Sequence, residues 1–197
     1  MSAERKPIIS TIGFGKFFHD MLHRRHRFRQ FVGIVFLIVL AVAANPIPAL
    51  YYAGIVCTAL GIAIRMWASG HVNKNQELAT TGPYSYVRHP LYVGNHLIGL
   101  GFCLASALWW GLLGWLVLGL YFYPQTIRHE DAFLERRFPQ EWADWSRHTK
   151  ALIPRLKPYR PGVRGEWSFK QSLHRNGEPI IAAFLGVCLY SIFLRLP

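Results

Sequence analysis

The apolar residues of this chain are concentrated in three long blocks that lack Asp, Glu, Lys and Arg. These blocks cover residues 31–64, 91–127 and 179–194, which are 34, 37 and 16 residues long. Because a helix needs about 20 residues to cross about 30 Å of hydrocarbon, each of the first two blocks is long enough for two spans. The pattern therefore predicts an all-α, polytopic membrane protein with about five transmembrane helices.

Turn-forming residues divide the first two blocks. Asn45-Pro46-Ile47-Pro48 interrupts the first block, and Ser106 to Trp110 is the favoured turn of the second. Trp109 and Trp110 would then lie at the membrane–water interface, which tryptophan prefers. We expect each of these blocks to form two helices joined by a turn. Residues 179–194 predict either a fifth span or a tilted or re-entrant helix.

Basic residues indicate the orientation in the membrane. Seven Lys or Arg lie in residues 1–30, three in 65–90 and eleven in 128–178, which leaves Arg195 for the other side. Because basic residues accumulate on the cytoplasmic side, the pattern predicts a cytoplasmic N-terminus. The net charge of +12 fits attraction to anionic lipids, and no nucleic-acid partner is expected.

The sequence divides into three regions. Residues 1–30 have apolar side chains at helical spacing among basic ones, as in an interfacial helix, and lack the apolar core of a cleavable signal peptide. Residues 31–156 form the membrane core. Residues 157–197 comprise a basic linker, which contains Pro and Gly between Pro158 and Gly165, and a C-terminal membrane helix.

No metal site is expected. Cys57, Cys103 and Cys188 each lie in an apolar block without a CxxC motif, which is typical of packing residues. Three histidines between residues 19 and 26 have the spacing of metal ligands on one helix. The neighbouring arginines would repel a cation, so a solvated interfacial face is the favoured interpretation.

A polar, turn-rich segment, residues 77–94, runs directly into the second apolar block. It puts Arg88, His89 and Tyr92 at the mouth of a membrane span, where polar groups are costly unless they serve binding or chemistry. If the block folds back on itself, this mouth lies beside His129-Glu130-Asp131 at the far end of the same block. The topology therefore predicts a cytoplasmic cofactor pocket at the mouth of a helical hairpin.

Structural roles are the alternative for the same residues. Pro90 suits the first turn of a helix, and Arg88 can anchor that helix at the interface. The Gly-Leu-Gly at 99–101 is typical of close helix packing. Apolar residues at helical spacing in 128–148 predict a surface helix, which Pro139 should break into two pieces.

Several motifs follow one another between about residues 50 and 156. They are Leu78, Thr81-Gly82-Pro83-Tyr84, Arg88-His89-Pro90-x-Tyr92-x-Gly94, Glu130-Asp131-x-x-Leu134, Phe138, Glu141, Trp142 and Pro154. Together they resemble the superfamily of isoprenylcysteine carboxyl methyltransferases and phospholipid methyltransferases. The combination is much more specific than any of its parts.

The resemblance implies a small polytopic enzyme that binds S-adenosyl-L-methionine at the cytoplasmic face. Its substrate would be a lipophilic molecule that enters from the bilayer. The catalytic candidates are Arg88, His89 and Glu130. Gly94, which has no side chain, would let the cofactor approach the helix backbone closely. The candidates for cofactor binding are Gln76, Glu77, Leu78, Ala79, Tyr84, His89, Pro90, Leu91, Tyr92, Gly94, Glu130 and Asp131.

Two positions depart from the pattern of the superfamily. Asp131 stands where the second Glu of a Glu-Glu-x-x-Leu motif is found, which keeps the charge but shortens the reach. Thr126 stands one helical turn before Glu130, where the isoprenylcysteine enzymes have an arginine for the substrate carboxylate. Arg128, on a different face of the helix, and Asn95 are therefore the candidates for substrate contact.

The acceptor and the reaction class stay open at this point. A prenylated, cysteine-type carboxylate calls for a cation near the methyl group, which Arg88 or Arg128 would supply, and this gives a weak preference for a carboxylate acceptor. A phospholipid amine instead has to be kept unprotonated. An NADPH-dependent membrane reductase of the same superfamily is a further alternative. A non-catalytic scaffold or transporter would need charged residues at mid-span depth, where His96 is the one candidate in the apolar blocks.

Overall fold

The computed structural model describes residues 14–72, 77–163, 165–175 and 177–197, and the regular elements in these ranges are helical. The all-α prediction is therefore confirmed. Short turns of 3₁₀ and π-helix are formed by Gly82–Ser85 and Gln171–Arg175. The α-helices are α1 (Phe14–Ala43), α2 (Pro48–Ser69), α3 (Pro90–Ser106), α4 (Trp109–Arg137), α5 (Pro139–His148) and α6 (Glu178–Phe193).

The chain divides into two compact units, Met1–Phe36 and Leu37–Pro197. In the first unit, α1 runs without interruption from Phe14, whereas the sequence suggested a separate basic helix up to residue 30. Residues 1–13 of that region lie outside the described residues. The second unit contains the other helices and all the candidate site residues that the structure describes.

Both predicted turns are confirmed. The first apolar block has a break between Ala43 and Pro48, and Pro48 begins α2. The second block turns between α3 and α4 at Ala107, which takes a left-handed backbone conformation with φ of 54°. The backbone amide of Asn45 donates to the carbonyl of Ser106 at 3.0 Å, so the two turns lie at the same end of the second unit.

Arg195 lies at that end too, because its guanidinium donates to the carbonyl of Val42. The sequence had assigned this residue to the side opposite the other basic residues. The segment after α2, the start of α3 and the end of α4 lie at the other end of the unit, since these antiparallel helices reverse at the two turns. The candidate site is built at this second end.

Glycines let α2 and α3 pack in close contact. A Cβ atom on Gly54 would lie 2.4 Å from the carbonyl oxygen of Gly101, and one on Gly61 would lie 2.7 Å from that of Gly94. Side chains at these positions would push the helices apart, so the packing interpretation holds for Gly101. The opposite face of α3 packs on α4, where Gly99 lies under the indole of Trp115.

The fourth helix is longer than the apolar block that starts it. α4 continues through Pro124 and beyond residue 127, and it ends at Arg137. The predicted break at Pro139 is confirmed, because Phe138 leaves the helical conformation and Pro139 begins α5. The polar residues that follow residue 127 therefore extend directly from the hairpin as part of one continuous helix.

The number of membrane spans depends on the length and the apolar character of the helices. Among the described residues, α2 is the helix that is both long and apolar enough to cross a membrane. Phe28–Ala43 and Glu178–Phe193 are shorter apolar helices, and α3 has 17 residues, whereas a span needs about 20. The five-span prediction is not confirmed, and it stays a prediction.

Candidate active site

The first part of the site is the segment that leads into α3. An irregular strap, defined here as residues 150–159, runs alongside this segment and makes backbone hydrogen bonds with it. The amide of Arg88 donates to Lys150 at 2.9 Å and that of His89 to Ala151 at 3.1 Å. The strap therefore fixes the backbone on which His89 is presented, at the N-terminal end of α3.

The base of the site is a small aromatic core. Tyr84, Trp142, Trp145 and Ala68 are buried together, and the indole Nε1 of Trp145 donates to the carbonyl of Tyr84 at 2.9 Å. Trp142 and Trp145 are the buried residues of α5. The amphipathic helix that the sequence predicted at the surface thus covers the turn before α3.

His89 lies between two adjacent carboxylates of α4. Its Nε2 donates to Oδ1 of Asp131 at 2.8 Å, and its Nδ1 lies 3.4 Å from Oε2 of Glu130. Burial, the largest single effect, lowers the pKa of this imidazole, but the hydrogen bonds with Asp131 and Glu130 and the charges of both carboxylates together raise the pKa above its ordinary value. The site therefore favours an imidazolium that neutralises part of the charge of the carboxylate pair.

Tyr92 extends this cluster by one helical turn. Its hydroxyl donates to Oε1 of Glu130, and its ring stacks on the imidazole of His89 at 5.5 Å. The ring of Tyr123 on α4 meets that of Tyr92 edge-on at 5.1 Å. Glu130 nevertheless keeps 38% of its side-chain surface exposed, so the carboxylate is both oriented and accessible.

Arg88 contacts both α4 and α5 through its guanidinium. Its Nη2 lies 3.3 Å from Oδ2 of Asp131, its Nη1 donates to the carbonyl of Ser146 at 3.1 Å, and its guanidinium lies over the ring of Trp142. The Nε atom is buried without a hydrogen bond in the described part of the chain. Arg88 therefore ties α5 to α4.

A second charged cluster lies next to the first and was not predicted. The guanidinium of Arg65 makes two hydrogen bonds with the carboxylate of Glu178, at 2.8 and 3.1 Å, and a third with Oδ1 of Asn95. The side chains of Arg65 and Glu178 are only 14% and 3% exposed. In the sequence, the only signal was that Arg65 directly follows the first apolar block and Glu178 directly precedes the third.

Tyr84 lies within electrostatic range of both clusters. Burial raises the pKa of its phenol, and the negative charges of Glu130 and Glu178 raise it further. The phenol is therefore a neutral hydroxyl at physiological pH. Its hydroxyl is a polar group that interacts electrostatically with both the carboxylate pair of α4 and the ion pair formed by Arg65.

The structure brings together His89, Tyr92, Glu130 and Asp131, with Tyr84 and Arg88 beside them. Pro90 begins α3, and Leu78, Ala79 and Leu91 pack against the aromatic core, while Glu77 is exposed.

Gly94 faces Arg65 and α2, and Asn95 is bonded to Arg65. Arg128 is exposed and lies about 200° around α4 from Glu130. Gln76 lies outside the described residues.

The chemistry of the cluster suits a cationic or hydroxyl-bearing ligand. Two oriented carboxylates can accept hydrogen bonds from an ammonium group or from ribose hydroxyls, and the phenols and the imidazolium can donate. Within the described residues, no group of three or more His, Cys, Asp or Glu side chains is arranged as a metal site.

The part of the chain that builds this site is similar to the superfamily of membrane methyltransferases that the sequence motifs resemble. Residues 49–141 match the phospholipid methyltransferase family, which belongs to that superfamily and is membrane-associated. The matched range starts with α2, contains the α3–α4 hairpin and ends in α5, so it includes His89, Glu130 and Asp131. The recognition made from the sequence is confirmed.

Two curated proteins are similar to the chain. The cobalt-zinc-cadmium resistance protein CzcN of Cupriavidus metallidurans is 42% identical over 147 residues, which cover 71% of this chain and 64% of the relative. The nickel-cobalt-cadmium resistance protein NccN of Alcaligenes xylosoxydans xylosoxydans is 40% identical over 116 residues, covering 57% and 53%. The chain thus spans less than two thirds of either relative. No solved structure gives a significant match.

Proposed function

We propose that this protein transfers a methyl group from S-adenosyl-L-methionine to a lipophilic acceptor at the end of the helical bundle where α3 begins. The observation that carries the proposal is the meeting of His89 and Tyr92 with Glu130 and Asp131. The two pairs lie about 40 residues apart in sequence, and the α3–α4 hairpin makes them neighbours. By the charge pattern of the sequence, this end is cytoplasmic.

The residues present fit this cofactor. Its cationic amino group or its ribose hydroxyls would be held by the half-exposed carboxylate of Glu130. Its own carboxylate would be held by donors that the cluster offers, which include the phenol of Tyr84. When bound, the cofactor supplies an electrophilic methyl group on a sulfonium sulfur.

The task of the protein residues is to align the reactants and to exclude water. His89 and Tyr92 hold the Glu130 carboxylate in one orientation, and the α3–α4 hairpin offers an apolar wall along which a lipid can reach the site. An amine or carboxylate acceptor attacks unaided once it is aligned and desolvated, so a nucleophilic Ser or Cys is not required.

The arginines near the site are already bonded to other protein groups, which favours a lipid amine as the acceptor. A carboxylate acceptor calls for a cation near the methyl group, but Arg88 is bonded to Asp131 and Ser146, and Arg65 is bonded to Glu178. Arg128 lies on the other side of α4. The weak preference for a carboxylate that the sequence suggested loses its support. A prenylated carboxylate is therefore the second candidate.

An experiment with a labelled methyl group tests the proposal. Membranes containing the protein are incubated with methyl-labelled cofactor, and the products are separated into alkali-labile esters, lipid head groups and thioethers. We expect label in the head-group fraction, and its loss in Glu130→Gln. Glu135→Gln, an exposed carboxylate on the same helix, is the matched control. No label with the wild-type protein, or equal label in Glu130→Gln, would contradict the proposal.

The names of the two relatives suggest a cellular setting. We propose that the methyl transfer contributes to growth in the presence of zinc, cobalt, cadmium or nickel. A strain that lacks the gene should grow poorly on graded metal plates, and the wild-type gene should restore growth where Glu130→Gln does not. Equal restoration of growth by both genes would show that metal resistance does not depend on methyl transfer.

A further inference from the structure

His96 is a titratable side chain inside the hairpin that the site described above does not use. It lies six residues after Pro90, about 9 Å along α3 from its start. Gly94 and Gly101 pack on α2, whereas His96 points from a different face of α3 towards α4. A histidine inside an apolar hairpin is costly unless its polarity is used.

Its imidazole is held by ring contacts alone. The ring of Tyr123 lies 4.2 Å away and that of Trp115 lies 5.8 Å away in an edge-on arrangement. Gly119 leaves room for the imidazole, since a Cβ there would lie 3.0 Å from its Cε1. Within the described residues, the ring nitrogens of His96 make no hydrogen bond, and the side chain is half-buried.

These contacts connect His96 to the carboxylate pair. Tyr123 touches both His96 and Tyr92, and the hydroxyl of Tyr92 donates to Glu130. The groups that face the imidazole are therefore Tyr123 and Trp115 from α4, and Tyr92 lies beside it on α3. An acceptor head group that enters along the hairpin towards Glu130 would meet His96 on the bilayer side of the cofactor.

We propose that His96 is the proton acceptor for an amine substrate. The inference rests on the proposed function. A ring nitrogen of His96 takes an N–H proton from the substrate ammonium, and the freed lone pair forms the new C–N bond. The C–S bond of the sulfonium breaks with its electron pair on sulfur. The product leaves as the methylated ammonium, and His96 passes its proton to water at the mouth of the hairpin.

The role requires an imidazole that is uncharged before the reaction. The ring contacts of His96 supply no carboxylate that would hold it as an imidazolium, in contrast with His89, which has two. A positioned base contributes about 10²- to 10⁴-fold to a rate. His96 is therefore distinct from His89, which serves as a cation that orients Glu130 and Asp131.

The test uses full-length protein in mixed micelles, with phosphatidylethanolamine as the amine probe and a farnesylcysteine analogue as the carboxylate probe. We expect His96→Gln to lower the methylation rate of the amine about 100-fold at pH 7. The deficit should shrink towards pH 10, where the substrate ammonium deprotonates without help. Binding of S-adenosylhomocysteine, measured by calorimetry, should not change. His129→Gln, an exposed histidine on α4, is the matched control.

Three results would overturn the inference. They are a rate unaffected by His96→Gln, a deficit that is the same at every pH, and a wild-type protein that binds S-adenosylhomocysteine but methylates only the carboxylate probe or neither probe. If His96→Gln does not fold, His96→Ala supplemented with imidazole tests the same role, and we expect imidazole to restore the rate. A wild-type protein that does not bind S-adenosylhomocysteine would refute the proposed function itself.

Discussion

At the scale of single residues, His89 determines the charge balance of the site. Glu130 and Asp131 are adjacent carboxylates that repel each other, and the imidazolium between them offsets that repulsion. The sequence predicted that these residues would meet, because both ends of a hairpin return to one side. It could not predict that Arg88 would face Asp131 and Trp142 instead of the substrate, since that depends on where α5 packs.

The raised pKa of His89 gives the protein a defined dependence on pH. A pKa raised in the folded state means that the stabilisation is complete below the ordinary value of 6.5 and is lost as the pH rises through the folded-state pKa. We expect the melting temperature of the wild-type protein to exceed that of His89→Gln most at about pH 6, and the difference to shrink at higher pH. A difference that grows with pH would show that His89 is buried as a neutral ring.

At the scale of helices, the turns and breaks followed from local sequence, whereas the pairing of distant side chains did not. Turn residues inside the first two apolar blocks predicted where α2 and α4 begin, and Pro139 predicted where α5 begins. The bond between Arg65 and Glu178 joins residues 113 positions apart. The strap of residues 150–159 is likewise held by long-range backbone bonds, which leave no periodic signal in the sequence.

Close packing of α2 on α3 makes one glycine substitution costly and another harmless. The new Cβ of Gly54→Ala would lie 2.4 Å from a backbone oxygen that cannot move aside, so we expect a loss of more than about 1 kcal/mol in unfolding free energy. Gly186→Ala on α6 meets nothing within 4 Å and is the control. Unfolding in mixed micelles measures both. Equal stability of the two variants would contradict the packing described for α2 and α3.

The ion pair between Arg65 and Glu178 should be needed to hold α6. Arg65→Ala leaves the buried Glu178 carboxylate without its partner, and we expect a loss of about 3–5 kcal/mol. Replacing both residues, as Arg65→Met with Glu178→Leu, should recover much of this loss. Arg160→Ala removes an exposed partner of Asp144 and should have no measurable effect on the same unfolding transition. Additive effects of the two replacements would argue against coupling.

At the scale of the whole molecule, the second unit has two chemically different ends. One end carries the two turns and Arg195, and the other carries the carboxylate pair, the strap and α5. The apolar blocks predicted this antiparallel order, because each turn reverses the chain. They could not fix the number of spans, since several helices are shorter than a full crossing.

Labelling of single cysteines tests the orientation. In a variant without Cys57, Cys103 and Cys188, a cysteine at Asn45 or at Lys150 is exposed at either end of the unit. We expect a membrane-impermeant maleimide added to intact cells to label Asn45→Cys, and Lys150→Cys to react only after the cells are opened. Labelling of Lys150→Cys in intact cells would reverse the proposed cytoplasmic location of the site.

The central claim is that the two ends of the α3–α4 hairpin form one cofactor site. Calorimetric titration with S-adenosylhomocysteine tests this claim most directly, with NADPH as the competing ligand. We predict that the wild-type protein binds S-adenosylhomocysteine, and that His89→Ala and Glu130→Ala each weaken this binding by about 10-fold or more, because each loses a charged hydrogen bond. Wild-type affinity in both variants, or binding of NADPH instead, would contradict the account.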